Sequence, residues 1–196
     1  MGPGTQALSF LLNTVIDLYV MVIALRFVMQ AVRADYYNPL AQFVVKASNP
    51  PLIPLRRVIP GIGGQDIAAL MLCLILLIAK MFLFKALGLS LNAASYTLNP
   101  ASIAAPLLVY LAAVDLLALF FNIFFFAIII QAVISWINPG SYNPVSGLLD
   151  SITGPLLRPI RGFVKPVGGL DLSPLVALIL LQVVKILVIG ALIGVL

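Results

Sequence analysis

The chain has no histidine, no glutamate, one cysteine and only 9% charged residues among 196. Each shortage excludes something. Without histidine there is no Ser-His-Asp or Cys-His catalysis, and no His-ligated zinc or haem. A lone cysteine, Cys73, allows no internal disulfide and no CxxC redox pair. All six acids are aspartates, so acid-base chemistry has few carriers. A soluble domain carries about 25% charged and about 45–50% apolar residues. Here 63% are hydrophobic, which excludes a water-soluble globule. The composition points to a non-enzyme that needs no cofactor and touches no nucleic acid.

What the chain does have is long apolar runs. Four are long enough to cross a bilayer, which takes about 20 residues: roughly 6–32, 67–91, 106–137 and 173–196. The first lacks a basic leader and an Ala-x-Ala exit, so it reads as a retained span and not a signal peptide. Continuous runs such as 68–79 and 120–130 do not alternate, so membrane β-strands are not favoured. The expected class is an all-α membrane protein with four transmembrane helices. Lys and Arg outside the spans fall in two segments, 33–66 and 138–172, while 92–105 holds none. By the positive-inside rule both basic segments face the cytoplasm, and both termini and the 92–105 loop face the periplasm of an inner membrane. Tyr36, Tyr37, Trp136 and Tyr142 gather at that cytoplasmic boundary, as an aromatic belt would. Beyond setting topology, the basic segments can attract anionic lipid heads.

The chain is also a duplication. Shifted by 105 residues, it aligns with itself without a gap. Tyr37-Asn38-Pro39 falls on Tyr142-Asn143-Pro144, and Pro50, Leu52, Pro54 and Arg56 fall on Pro155, Leu157, Pro159 and Arg161. Gly63-Gly64 falls on Gly168-Gly169, and Asp66 on Asp171. These ten identities lie between residues 37 and 66, where ordinary usage would give about two. The units are 1–91 and 106–196, joined by the 92–105 loop. Each reads as helix, connector, helix. Two spans per unit is an even number, so both insert the same way and the repeats are parallel, unlike the inverted repeats of many transporters.

Within the connector, Asn38-Pro39 reads as a helix cap followed by Pro at the first helical position. Leu40, Phe43, Val44 and Ala47 then recur at helical spacing, with Gln42, Lys46 and Asn49 opposite. Val145, Leu148, Leu149 and Ile152 repeat the pattern, opposite Ser146, Asp150 and Thr153. A short amphipathic helix of about 11 residues is expected in the interface plane. Pro50 and Pro155 are expected to end it. The proline-dense stretch that follows should be extended, and Asp66 and Asp171 should cap the next helix. Two readings stand: a stiff loop clamping two spans, or a docking surface presenting Arg56 and Arg161.

Polar residues inside the spans are functional suspects. Lys80 and Lys185 lie about 18–20 Å from the cytoplasmic face at about 1.5 Å per residue, near the middle of a core about 30 Å thick. Asp17 and its equivalent Asn122 match them in depth. Arg26 and Gln131 form a third equivalent pair. Asp115 and Lys85 have no polar counterpart. Either Asp17–Lys80 and Asn122–Lys185 tie helices together within each unit, or the two lysines line a polar path for an ion. A partner protein could also supply the acid missing opposite Lys185. Cys73, in an apolar helix, reads as a small core residue.

The repeated Tyr-Asn-Pro, Pro-x-Arg and Gly-Gly-x-Asp pattern resembles the YggT family of bacterial membrane proteins, called YlmG in Gram-positives, cyanobacteria and plastids. Two tandem units resemble the proteobacterial form over nearly the whole chain. The second copy reads Asp171-Leu172-Ser173-Pro174, as the family pattern does; the first departs from it with Asp66-Ile67-Ala68-Ala69. The resemblance implies a multi-pass inner-membrane protein associated with osmotic-stress tolerance, cation homeostasis and cell-division or envelope processes, and it brings no catalytic residues. The leading expectation is a non-enzymatic scaffold or assembly factor. Its working surface would be Tyr37, Asn38, Pro39, Arg56 and Asp66 with Tyr142, Asn143, Pro144, Arg161 and Asp171. Its partners would be the bilayer, an unidentified membrane protein or a second copy. The alternative is a small cation channel using Asp17, Lys80, Asn122 and Lys185.

Overall fold

The computed structural model describes residues 2–61, 63–94, 96–137, 144–164 and 171–194. Among them are six α-helices: α1 (Pro3–Ala31), α2 (Pro39–Arg56), α3 (Ile67–Leu87), α4 (Ala105–Ile137), α5 (Pro144–Phe163) and α6 (Ser173–Gly194). Four of these, α1, α3, α4 and α6, are long and apolar enough to cross a membrane. A two-stranded antiparallel hairpin, β1 (Leu91–Ala93) and β2 (Tyr96–Leu98), pairs Leu91 with Leu98 and Ala93 with Tyr96. A single 3-10 turn follows at Pro100–Ser102. The hairpin and turn occupy the stretch expected to be a plain loop. They do so because α3 stops at Leu87, four residues earlier than its apolar run suggests. Gly88 takes φ 63°, and its N–H and that of Leu89 reach back to Lys85 and Phe84 carbonyls. This left-handed cap satisfies carbonyls that the last turn leaves open.

The connector helices depart furthest from expectation. Neither stops at its first proline. The first helix, α2, runs 18 residues through Pro50, Pro51 and Pro54, and α5 runs 20 residues through Pro155 and Pro159. Proline's fixed φ is a helical value, and its penalty lies in the missing N–H and the crowding of the preceding turn. Burial offsets that penalty. Val44, Ser48 and Leu52 recur every fourth residue and are all buried, as are Leu149, Thr153 and Leu157. Ending the helix at Pro50 or Pro155 would pull Leu52 or Leu157 out of its core. The buried stripe of α2 is also rotated from the expected one. Ala41, Val44, Ser48 and Leu52 face inward, while Leu40 and Phe43 are exposed.

The chain folds into two compact units. One combines Met1–Ala24 with Ser48–Phe120, the other Leu25–Ala47 with Phe121–Leu196. Each therefore draws on both sequence halves. The first unit buries Val20, Ile23, Leu72, Cys73, Leu77, Met81, Phe84, Leu108 and Ala112. In the second, Ile128, Leu157 and Ala177 form a cluster joining α4, α5 and α6, with Leu156, Ile160, Leu178 and Leu181 packed against it. The first unit also holds a buried lysine that draws partners from two other helices.

Candidate functional site

That lysine is Lys80 on α3. Its side chain is 0% exposed, so its ammonium must be compensated where it sits. Its Nζ lies 2.6 Å from Asp17 Oδ1 of α1 and 3.1 Å from Asp115 Oδ2 of α4. Asp17 Oδ2 also accepts from the Asn13 amide at 2.8 Å. Asp115 Oδ1 accepts the Ala94 N–H at 2.7 Å. Ala94 holds φ 49°, a left-handed value that costs a residue with a Cβ about 1–2 kcal/mol. One carboxylate thus fastens α4 to α3 and holds the hairpin turn. Close by in the same unit, the Ser9 hydroxyl donates to the Ser90 carbonyl, Lys85 donates to the Ile103 carbonyl, and Cys73 Sγ sits 3.7 Å from the Val20 carbonyl.

The second unit holds the equivalent lysine differently. Lys185 Nζ donates to Asn122 Oδ1 at 2.8 Å, a neutral acceptor, and its side chain is only partly buried. The separation of 63 residues is the same as between Asp17 and Lys80. Arg26 and Gln131 each reach a connector helix 19 residues on. Arg26 donates to the Val45 carbonyl at 3.2 Å, and Gln131 donates to Asp150 and accepts from Thr153.

The connectors carry a second recurring device. Arg56 pairs with Asp66, and Arg161 with Asp171 at 2.9 Å; each pair is ten residues apart. Asp66 also caps α3 by accepting the Ala69 N–H, and Asp171 accepts the Ser173 N–H at 2.9 Å as α6 begins. Each Arg–Asp clasp therefore joins the end of a connector helix to the start of a spanning helix. Partial burial pushes the Asp171 carboxyl up, but hydrogen bonds from Ser173 and the Arg161 guanidinium outweigh it and hold it below the usual carboxylate range. A carboxyl depressed by folding contributes stability above its unfolded pKa of about 3.9, and loses it as pH falls through the folded value. Asp171→Asn should therefore lower the unfolding temperature at pH 7. That deficit should shrink below about pH 4, as thermal scans at both pH values would show.

Asn38 caps α2 by accepting the Leu40 N–H at 2.9 Å and donates to the Pro144 carbonyl at the start of α5. Pro39 opens α2 and Tyr37 is 89% exposed. Tyr142 and Asn143 lie outside the described residues, as do Gly168 and Gly169. Among the described residues no group of His, Cys, Asp or Glu could hold a metal ion. The partner that sequence reasoning missed is Asp115, which has no counterpart in the repeat register. The arginines of the expected docking surface, Arg56 and Arg161, are engaged by their own aspartates. The side chains of Arg33, Lys46, Arg57 and Arg158 are exposed and make no ion pair among the described residues.

The family model for CCB3/YggT matches residues 5–87 and again 110–192. An uncharacterised protein of Pseudomonas aeruginosa is 41% identical over 189 residues, covering 96% of this chain and 91% of its own. YggT of Escherichia coli K12 is 40% identical over 181 residues, covering 92% and 88%. The chloroplastic YlmG homolog protein 2 of Arabidopsis thaliana is 39% identical over 66 residues, 32% of this chain and 25% of that one. No solved structure matches the chain.

Proposed function

The chain belongs to the CCB3/YggT family, and we propose that it acts as a non-enzymatic, multi-pass inner-membrane scaffold or assembly and stress-tolerance factor. In this reading the spans are a fixed frame, and the two connectors are its cytoplasmic working surface, with both termini in the periplasm. The observation that carries it is the closure of the Lys80 network. The buried Lys80 ammonium is met by two carboxylates of its own unit, so that it ties helices. In the second unit Lys185 meets only the neutral Asn122 amide, and an ammonium not answered by a carboxylate repels cations, which counts against conduction along Asp17, Lys80, Asn122 and Lys185. The connectors, by contrast, hold the densest identity between repeats and, among the described residues, four exposed cations without an ion-pair partner.

Two measurements separate the readings. Purified protein in liposomes should give no cation flux above empty vesicles; flux that changes on Lys80→Met would install the channel in the scaffold's place. Native partners cross-linked through the wild-type protein should be lost from Arg57→Glu/Arg158→Glu, while Arg56→Gln/Arg161→Gln should lower thermal stability. Unchanged partners in the first variant would contradict the working surface.

A further inference from the structure

The segment from Arg33 to Lys46 lies within the second unit and has an unusual outer face. It follows α1, which ends at Ala31, by one residue. A helix apolar enough to span a membrane therefore delivers it to the bilayer surface. The next element, α2, cannot itself cross. It carries three prolines and presents one buried stripe, not a uniformly apolar circumference. Its outward face should be polar if it met only water. Instead Phe43 is 65% exposed, Leu40 is 40% exposed, and Tyr37 just before them is almost wholly exposed. Residues 40 and 43 are three apart and share a face with Lys46, one further turn along. Arg33, at φ 54°, turns the chain out of α1.

Cations outnumber acids in this segment, Arg33 and Lys46 against the one exposed Asp35. Arg33 and Lys46 are exposed without an ion-pair partner among the described residues, and so is Arg158 of α5 in the same unit. None of the unit's acids forms an ion pair with them among the described residues. Asp35 accepts the Tyr37 N–H, Asp150 accepts from Gln131, and Asp171 holds Arg161. Apolar and aromatic groups flanked by unanswered cations, at the mouth of a spanning helix, fit a surface that is oily below and negatively charged above. We infer that Arg33, Tyr37, Leu40, Phe43 and Lys46 form a binding surface for anionic phospholipids, with the rings and Leu40 in the acyl boundary and the two cations on headgroup phosphates. An acidic soluble protein would match the cations but would not call for exposed Phe43 and Leu40 beside a span. The inference rests on the reading of α1 as a membrane span, and not on any protein partner of the scaffold.

The chain's single tryptophan makes the test direct. Trp136→Phe with Phe43→Trp places the only indole on this surface in the full-length protein. The protein is reconstituted in nanodiscs with lipids brominated near the headgroup end of their chains, either phosphatidylglycerol or phosphatidylcholine at equal mole fraction. Brominated phosphatidylglycerol should quench the indole at least about twofold more. The preference should fall to parity in Arg33→Asn/Lys46→Gln, where Asn tolerates the left-handed backbone at 33, and should weaken at high salt. Equal quenching by both lipids in the parent would overturn anionic selectivity while leaving the membrane reading intact. Quenching by neither would remove the segment from the bilayer surface and overturn both.

Discussion

Lys80→Met should destabilise the protein by about 3 kcal/mol, because it leaves the largely buried Asp115 and the partly exposed Asp17 without their cation. Lys185→Met should cost far less, about 1 kcal/mol, since it removes one hydrogen bond to a neutral amide. The two lysines are equivalent in sequence register, both near the middle of a span, and of the same chemistry. What separates them is their surroundings: Lys80 is enclosed by Asp17 and Asp115, and Lys185 meets Asn122. Denaturant unfolding in mixed micelles would measure both. Adding Asp17→Asn and Asp115→Asn to Lys80→Met should recover part of the loss, because the stranded charges go with the lysine's own. Equal costs for the two single variants would mean that the Lys80 network is not the closed tie described above.

Leu52→Ala should cost about 2–5 kcal/mol, the range for emptying a fully buried leucine site, while Ile53→Ala should change stability by no more than about 0.5 kcal/mol. Neighbours in sequence, the two lie about 100° apart around α2, with Leu52 at 0% exposure and Ile53 half exposed. An extended stretch would put residue 50 on the same face as 52, yet Pro50 is exposed while Ser48 and Leu52, four residues apart, are buried, as a helix continuing through Pro50 and Pro51 requires. Leu157→Ala should behave like Leu52→Ala, for the same reason one repeat later. Similar costs at 52 and 53 would contradict the enclosed site described for Leu52.

These two cases mark where the sequence was legible. The four apolar helices and the duplication could be read from run length and self-alignment, since both signals are local or strictly periodic, and the family from the resemblance of its repeated motifs. The register that aligns residue 17 with 122 and 80 with 185 also aligns two pairs that the structure bonds. Asp115 was illegible for a definite reason. It reaches Lys80 from a third helix, and nothing in the repeat marks it, since its counterpart position in the first unit is Phe10. The connector prolines misled because the rule that proline ends helices weighs a local penalty alone. Leu52 and Leu157 show that burial can override it when hydrophobic side chains recur every fourth residue across the break. The rotation of the α2 stripe has the same origin. Leu40 and Phe43 fit a helical period as well as Ala41 and Val44 do, and only the tertiary surroundings choose between them.

The proposed scaffold requires both connector helices on one side of a membrane crossed four times. The native Cys73 is buried, so single cysteines introduced at Lys46, Arg158 and Thr97 can be labelled against a quiet background. An impermeant maleimide applied to intact spheroplasts should label position 97 and leave 46 and 158 untouched until the membrane is opened. Label reaching 46 but not 158, or the reverse, would contradict the account.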